Sequence, residues 1–408
     1  MGLKALTYLS AGESHGQQLT IVIQNLPAGL ELSAADVNEQ LRRRQGGYGR
    51  GGRQKIERDQ VQFVAGVRHG YTLGSPLAMV VPNLDWPNWA GRMDVEKPVD
   101  PGDGSFEPTP KVTRLRPGHA DMAGSLKYQF DDVRNVLERA SARETASRVA
   151  AGAVARTLLR HFGIEIRSHT VRIGPITTAA PPEVLLDSRG SDNPDVAAFW
   201  EAVDESDVRC ADPEASEQMI EEIKAARVAQ DTLGGVFEVV AYNVPIGLGS
   251  HTQWDEKLDG RLAAAIMSMP SIKGVEIGDG LAQTARRGSA VHDVITYKDG
   301  VGWSHETNNA GGTEGGITNG APVILRGAAK PISTLIKPLP SVDLITHEPT
   351  PAHFERSDIC VIPAAGVVGE AMVALVLADA FRQKFGGDSI VEIEKNYEAY
   401  VSTYRPQP

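Results

Sequence analysis

Cysteine is nearly absent from this chain. Only Cys210 and Cys360 occur in 408 residues, and they lie far apart. That excludes a disulfide framework and a CxxC metal pattern, and it suits a reducing, cytoplasmic setting. No apolar run reaches the ~18 residues needed to span a bilayer. The start, MGLKALTYLSAGESHG, has no long apolar segment and no cleavage signature. Leu6 stands where myristoylation requires Ser or Thr. A basic surplus is missing too: the formal net charge is -11, which argues against general binding to nucleic acid or a membrane surface. There is no Walker A lysine motif and no HExxH. Ten histidines without short spacing give no metal site. What remains is ordinary globular composition, 41% hydrophobic, with length enough for a large core in one or two domains.

Against that acidic background, five arginines crowd between Arg42 and Arg53, in the run RRRQGGYGRGGR. Bulk charge does not explain such a cluster. The arginine fork binds phosphate or carboxylate bidentately and stays charged at any relevant pH. The interleaved glycines let backbone approach a ligand closely. A cradle for a small, highly charged anion fits. So, for this segment alone, do a solvated surface loop and a Gly-Arg segment that binds RNA. The RNA reading predicts more such segments with interleaved aromatics, and the run holds only Tyr48.

Two stretches of the chain look alike. TIVIQNLPAGL (Thr20 to Leu30) and FEVVAYNVPIGL (Phe237 to Leu248) each read as a β-rich run ending in Pro, any residue, Gly, Leu. A helix follows each. Ser33 caps the first with Asp36 three residues on, and Gly46 lies just past its end. The second runs from about Leu258 to Met269, where Pro270 stops it. GYTLGSPLAMVV (Gly70 to Val81) then matches GITNGAPVILRG (Gly316 to Gly327), and both halves reach an Ala-rich helix, Ala142 to about Phe162 and about Val368 to Phe385. The shared order argues for internal duplication. The expected architecture is α+β, two equivalent halves around one core, with antiparallel or mixed sheets. The pseudo-repeats span about 11–165 and 231–390. The stretch 166–230 is read as a connecting insertion, with an exposed helix from Pro213 to Gln230.

Four segments combine ionisable and chain-bending residues. Gly12-Glu13-Ser14-His15-Gly16 puts a histidine on a tight turn, at a ligand or at the plain surface. In Thr113 to Asp121, Arg114, Arg116 and His119 converge around Pro117-Gly118, so an acid/base histidine lies beside anion-binding arginines. In Arg139 to Thr145, Ser141 and Glu144 fit a capping box, and Arg139 and Arg143 flank a first turn whose free N–H groups attract anions. Arg148 reads as a solvated face residue. Last come Lys330-Pro331-Ile332-Ser333-Thr334 and Arg356-Ser357-Asp358-Ile359-Cys360. Ser333 and Thr334 offer hydroxyl donors. Arg356 and Asp358 alternate, so on a strand they would share one face; a surface ion pair is the alternative. Cys360 reads as a buried structural thiol.

Taken together and in order, GESHG, RRRQGGYGRGGR, RPGHAD, RASARET, GVEIGDG, KPIST and RSDIC resemble the chorismate synthase family, over about Ala11 to Tyr397. The resemblance implies a β-α-β sandwich built from an internal pseudo-repeat, a single compact domain over 1–408, and a homo-oligomer, usually a tetramer. It implies a carbon–oxygen lyase that converts 5-enolpyruvylshikimate 3-phosphate to chorismate and phosphate by 1,4-anti elimination, the seventh step of the shikimate pathway to aromatic amino acids. The family depends on reduced FMN without net redox change. A phosphatase or phosphotransferase could use the same arginine cradle, and flavin dependence separates it. Ser10 stands where the family often has Thr, and the segment before GESHG is slightly long. Neither touches the chemistry.

By match to the family motifs, His15 looks like the acid that protonates the departing phosphate. His119 looks like the residue facing the flavin where charge accumulates. Asp358 looks like the group that helps the flavin N5 take up the C6 proton. Substrate anions would be held by Ser14, Arg44, Arg50, Arg53, Arg116, Arg143 and Arg356. FMN would contact Arg139, Ala140, Ser141, Pro270, Ser271, Gly315, Lys330, Pro331, Ile332, Ser333, Thr334 and Arg356. Reduction would come from a separate flavin reductase, or from NADPH bound at Arg44 and Arg50. No nucleic acid, membrane or metal is implied.

Overall fold

A computed structural model of the chain describes residues 5–51, 58–96, 109–178, 183–187, 189–300, 302–355 and 357–405. Two sheets form the outer layers. The first holds β1 (Thr7–Ala11), β2 (Gln18–Gln24), β3 (Gln62–Ala65) and β4 (Leu77–Pro82), in the order β1-β2-β4-β3. The second holds β5 (Glu165–Ile173), β6 (Gly235–Tyr242), β7 (Ile272–Ile277) and β8 (Val323–Ala329), in the order β5-β6-β8-β7, with the short strand Ile176–Thr177 at the β5 edge. Every pairing within both sheets is antiparallel. The two sheets therefore repeat one pattern, first strand for first strand.

Helices fill the space between them. In the first half these are α1 (Ala34–Gln45) and α2 (Thr145–His161). Residues 166–230 supply α3 (Pro194–Glu205), which lies instead on the outer face of the second sheet over Val240, Tyr242 and Ile324, and α4 (Pro213–Val228). The second half supplies α5 (Leu258–Met267) and α6 (Ile362–Phe385). Helix α1 packs on α2, α2 on β1 and β2, α5 on α6, and α6 on β5 and β6; the α2–α6 seam joins the halves. Gly152 makes that seam close: a Cβ there would lie 2.5 Å from the Ala371 Cα. Helix α6 is apolar and long enough to cross a membrane, with a mean hydropathy of 1.8, yet that window is 89% buried inside the protein. A helix apolar on all sides is a core helix when protein surrounds it.

Local chemistry accounts for the boundaries. Ser33 and Asp36 form both bonds of a capping box on α1, and Gly46 closes its end. Asp212 caps α4, with Pro213 in the first turn. Helix α6 starts six residues before the expected Val368, because Pro363 occupies the first turn, where its missing N–H has no partner to lose. The segment from Ser357 to Cys360 is no regular strand; Cys360 makes one isolated bridge to Leu233. The stretch 166–230 is only partly an insertion. Its first residues are strand β5, paired along β6. That strand is buried on both faces over Ser168–Thr170, so it lacks the alternation that marks a half-exposed strand.

Candidate active site

The turns and loops at one end of the sandwich ring a single cleft of ≈ 350 Å³. The β1–β2 turn brings Ser14 and His15, and the end of α1 with its loop brings Arg44, Arg50 and Gly51. The turn at Pro117 brings Arg116 and His119. Ala140, Ser141 and Arg143 come from the short helices before α2; Pro270 and Ser271 follow α5; Lys330, Ile332, Ser333 and Thr334 follow β8. Glu355, Ser357 and Asp358 precede α6, whose first turns supply an apolar floor of Val361, Ala364, Ala365 and Val368. Residues from both halves thus face one space.

The cationic side chains are held by carboxylates. Arg50 reaches an Asp358 oxygen at 3.0 Å, and the other Asp358 oxygen accepts the Gly51 N–H at 2.5 Å. Asp59 bridges Arg143 at 2.6 Å and Arg44 at 3.4 Å. Arg116 donates to Asp121 through Nε at 2.8 Å and Nη2 at 3.0 Å. Each guanidinium has five N–H donors, so a carboxylate aligns it without exhausting it. The Arg50 Nε is buried and has no hydrogen-bond partner among the described residues. Lys330 is pinned to the Gly118 carbonyl at 2.5 Å. Gly118 sits at φ +78°, which an L side chain rarely adopts.

Both cleft histidines have a carboxylate at Nδ1. His119 Nδ1 lies 2.5 Å from Asp121 Oδ1. His15 Nδ1 lies 2.9 and 3.0 Å from the two Glu138 oxygens. Burial by itself would raise the Asp121 carboxyl; hydrogen bonds from His119 and Arg116 outweigh it and hold it down at about 2. Burial opposes ionisation of Glu355 as well, but the His353 hydrogen bond and the charges of Arg116 and Arg134 hold it below the usual carboxylate range. Burial pushes the Cys360 thiol up to about 11, which removes it as a nucleophile at neutral pH. No group of three or more His, Cys, Asp or Glu among the described residues has metal-binding geometry.

A family model described as chorismate synthase matches residues 6–381. The chain belongs to the chorismate synthase family. It is 54% identical over 395 residues to the chorismate synthase of Moorella thermoacetica, covering 97% of this chain and 98% of that one. It is 50% identical over 406 residues to that of Aquifex aeolicus, covering 98% and 99%. A solved structure titled "Crystal Structure of Chorismate Synthase" superposes with a TM-score of 0.79 at 41% identity, covering 99% of both chains. The family consists of carbon–oxygen lyases of aromatic amino-acid biosynthesis.

Most residues implied by the resemblance meet in the cleft, but not all. Arg139 turns outward and donates to the carbonyls of Ser10 and Gly12. Gly315 lies beside His251, in a hairpin whose Gly316 carbonyl bonds Leu258 at the start of α5. Pro270 follows the other end of that helix, about 15 Å along for ten residues. Arg53 and Arg356 lie outside the described residues. Four members of the site are new: Glu138, Asp59, Glu355 and Trp89. Each contacts residues far away in sequence. Only the RPGHAD motif, which contains Asp121, carries its partner within the same local signal. Gly12 to Gly16 also matches G-x-S-x-G, the nucleophile-elbow pattern. Here it joins two antiparallel strands, not a strand to a helix, so the elbow is not built.

Proposed function

We propose that this chain converts 5-enolpyruvylshikimate 3-phosphate to chorismate and phosphate by 1,4-anti elimination, with reduced FMN in the same cleft. The observation that carries the reading is one cleft holding four arginines, two carboxylate-anchored histidines and Asp358. The substrate has a phosphate and two carboxylates, and Arg44, Arg50, Arg116 and Arg143 are suited to them. His15 gives a proton to the leaving phosphate oxygen as the C3–O bond breaks. The C6 hydrogen departs and the second ring double bond forms. That hydrogen would leave as a proton toward the flavin N5, with Asp358 assisting the transfer.

The cleft fits a flavin. Ser271, Lys330, Ser333 and Thr334 offer donors for a phosphate and for polar ring edges, opposite the apolar floor from α6. When bound, reduced FMN would supply the electron density that helps expel an allylic phosphate, with no net redox change. His119, with Nδ1 committed to Asp121, would present Nε2 to that charge. The reductant is proposed to come from another protein. NADPH at Arg44 and Arg50 is the alternative. A homotetramer is proposed as well. The two free, buried cysteines suit a cytoplasmic setting.

The test is anaerobic product formation with FMN reduced or oxidised. Chorismate and phosphate in equal amounts, only with reduced FMN, are expected. Phosphate without chorismate would mean a phosphatase and overturn the reading. Turnover with oxidised FMN and NADPH alone would replace the external reductase.

A further inference from the structure

His15 stands on a short turn between two strands, and a turn alone does not fix the orientation of an imidazole. Glu138, more than 120 residues away, does so. Its two oxygens lie 2.9 and 3.0 Å from Nδ1, and Oε2 also accepts the His15 backbone N–H at 2.8 Å. The Glu138 carbonyl accepts the Ser14 N–H at 3.1 Å. One residue thus pins both the turn and the ring it carries. Glu138 is only 2% exposed. Arg134, one helical turn earlier, balances its charge through a 2.8 Å bond to Oε1.

A third wall limits ring rotation. The Trp89 ring stacks on His15 with centroids 3.8 Å apart and planes 23° apart. Asp85 holds the Trp89 indole N–H at 3.0 Å, and the Arg134 guanidinium lies over the same ring at 5.2 Å. Arg134 therefore braces both the carboxylate and the stacking ring.

We propose that Glu138 is the positioning residue of His15. A carboxylate only accepts hydrogen bonds, so Nδ1 must carry a proton in every state of the ring. Nε2 is then the single nitrogen that gains and loses a proton. In each turnover the Nε2 proton passes to the phosphate oxygen as the C–O bond breaks. The neutral ring keeps its Nδ1 proton on Glu138, and Nε2 is reprotonated from solvent before the next cycle. The inference rests on the reading of His15 as the acid, and its test separates the two.

The experiment uses protein labelled with ¹⁵N-histidine, free of flavin and substrate, at a pH where the ring is neutral. Two-bond ¹H–¹⁵N spectra report the tautomer of His15 directly. The wild-type protein should show Nδ1 protonated and Nε2 bare; a bare Nδ1 would overturn the proposal. Glu138→Gln must set an NH₂ against one of three converging donors, so the fixed tautomer should be lost. In the same variant kcat should fall ~10²-fold with KM changed less than about threefold, the pattern of a group acting on proton transfer. An unchanged tautomer in a folded Glu138→Gln protein would also overturn the proposal. A lost tautomer with full kcat would support Glu138's hold on the ring and remove His15 from the chemistry. The wild-type spectrum needs no variant, so it decides the matter even where Glu138→Gln does not fold.

Discussion

The two sheets share one strand order, yet their outer faces differ. The second is covered: Trp200, Val196 and Val203 of α3 close with Leu185 over Val240, Tyr242 and Ile324. The first is bare. Leu9, Val22 and Ala78 lie opposite one another across β1, β2 and β4, with Val80 and Val64 alongside. Leu9 is 74% and Val64 65% exposed. An apolar sheet face left open is where a partner surface fits. The insertion after β5 makes the second sheet self-sufficient, and the first is the face on which the proposed homotetramer is expected to pack. The inner faces show no such asymmetry, because both halves meet around the same buried charges.

Those charges give the largest expected effect. Glu370 on α6 receives Arg43 of α1 at 2.6 Å, Arg156 of α2, and Arg209 of the insertion at 3.5 Å. It ties two helices of the first half and the insertion to the second half. Glu370→Gln should destabilise the fold by about 3–5 kcal/mol, because several buried arginines lose their common partner; chemical denaturation measures it. Burial opposes ionisation of Glu370, and the Arg43 and Arg156 charges outweigh it, so its folded value lies far below the usual range. The sign follows: its contribution is complete above an unfolded carboxylate value of about 4.3 and is lost as pH falls below it. Wild-type stability should therefore drop through that acid range more steeply than that of Glu370→Gln.

Next in size is the covered sheet. Trp200→Ala should cost about 3 kcal/mol or somewhat more, by the usual penalty for emptying a buried aromatic site. If the loss were below about 1 kcal/mol, α3 would be an ornament and the contrast between the faces would fail. At the seam between the halves, Gly152→Val should cost about 2–3 kcal/mol by overpacking against Ala371, read as a lower unfolding midpoint.

The smallest effect on the isolated chain belongs to the bare sheet. Val22→Lys together with Leu9→Lys should change protomer stability by only about 0.5 kcal/mol, as for exposed positions. The same pair should dissociate the proposed homotetramer in sedimentation velocity. An unchanged sedimentation coefficient would place the subunit contact elsewhere and leave the open face without a partner. The equivalent charge on the covered sheet, at Val240, should unfold the chain instead.

The order of elements was legible because local rules agree with the fold. Ser33 and Asp36, Gly46, Pro213 and Pro270 each mark a boundary by chemistry that acts within four residues. The seven motifs were legible for the same reason, since each is a short run of consecutive residues. The His119–Asp121 pair lies inside one such run. What no local pattern contains is the meeting of distant segments. Glu138 at His15, Asp59 between Arg44 and Arg143, and Glu370 among its arginines are joined only when the sandwich closes. The strand β5 escaped because burial on both faces erases the period-two signal. The sequence by itself determined the elements, their repetition and the kinds of residue brought to one end. The tertiary structure alone decided which carboxylate holds each cation and each imidazole, because those bonds depend on distance in space, and chain separation carries no information about it.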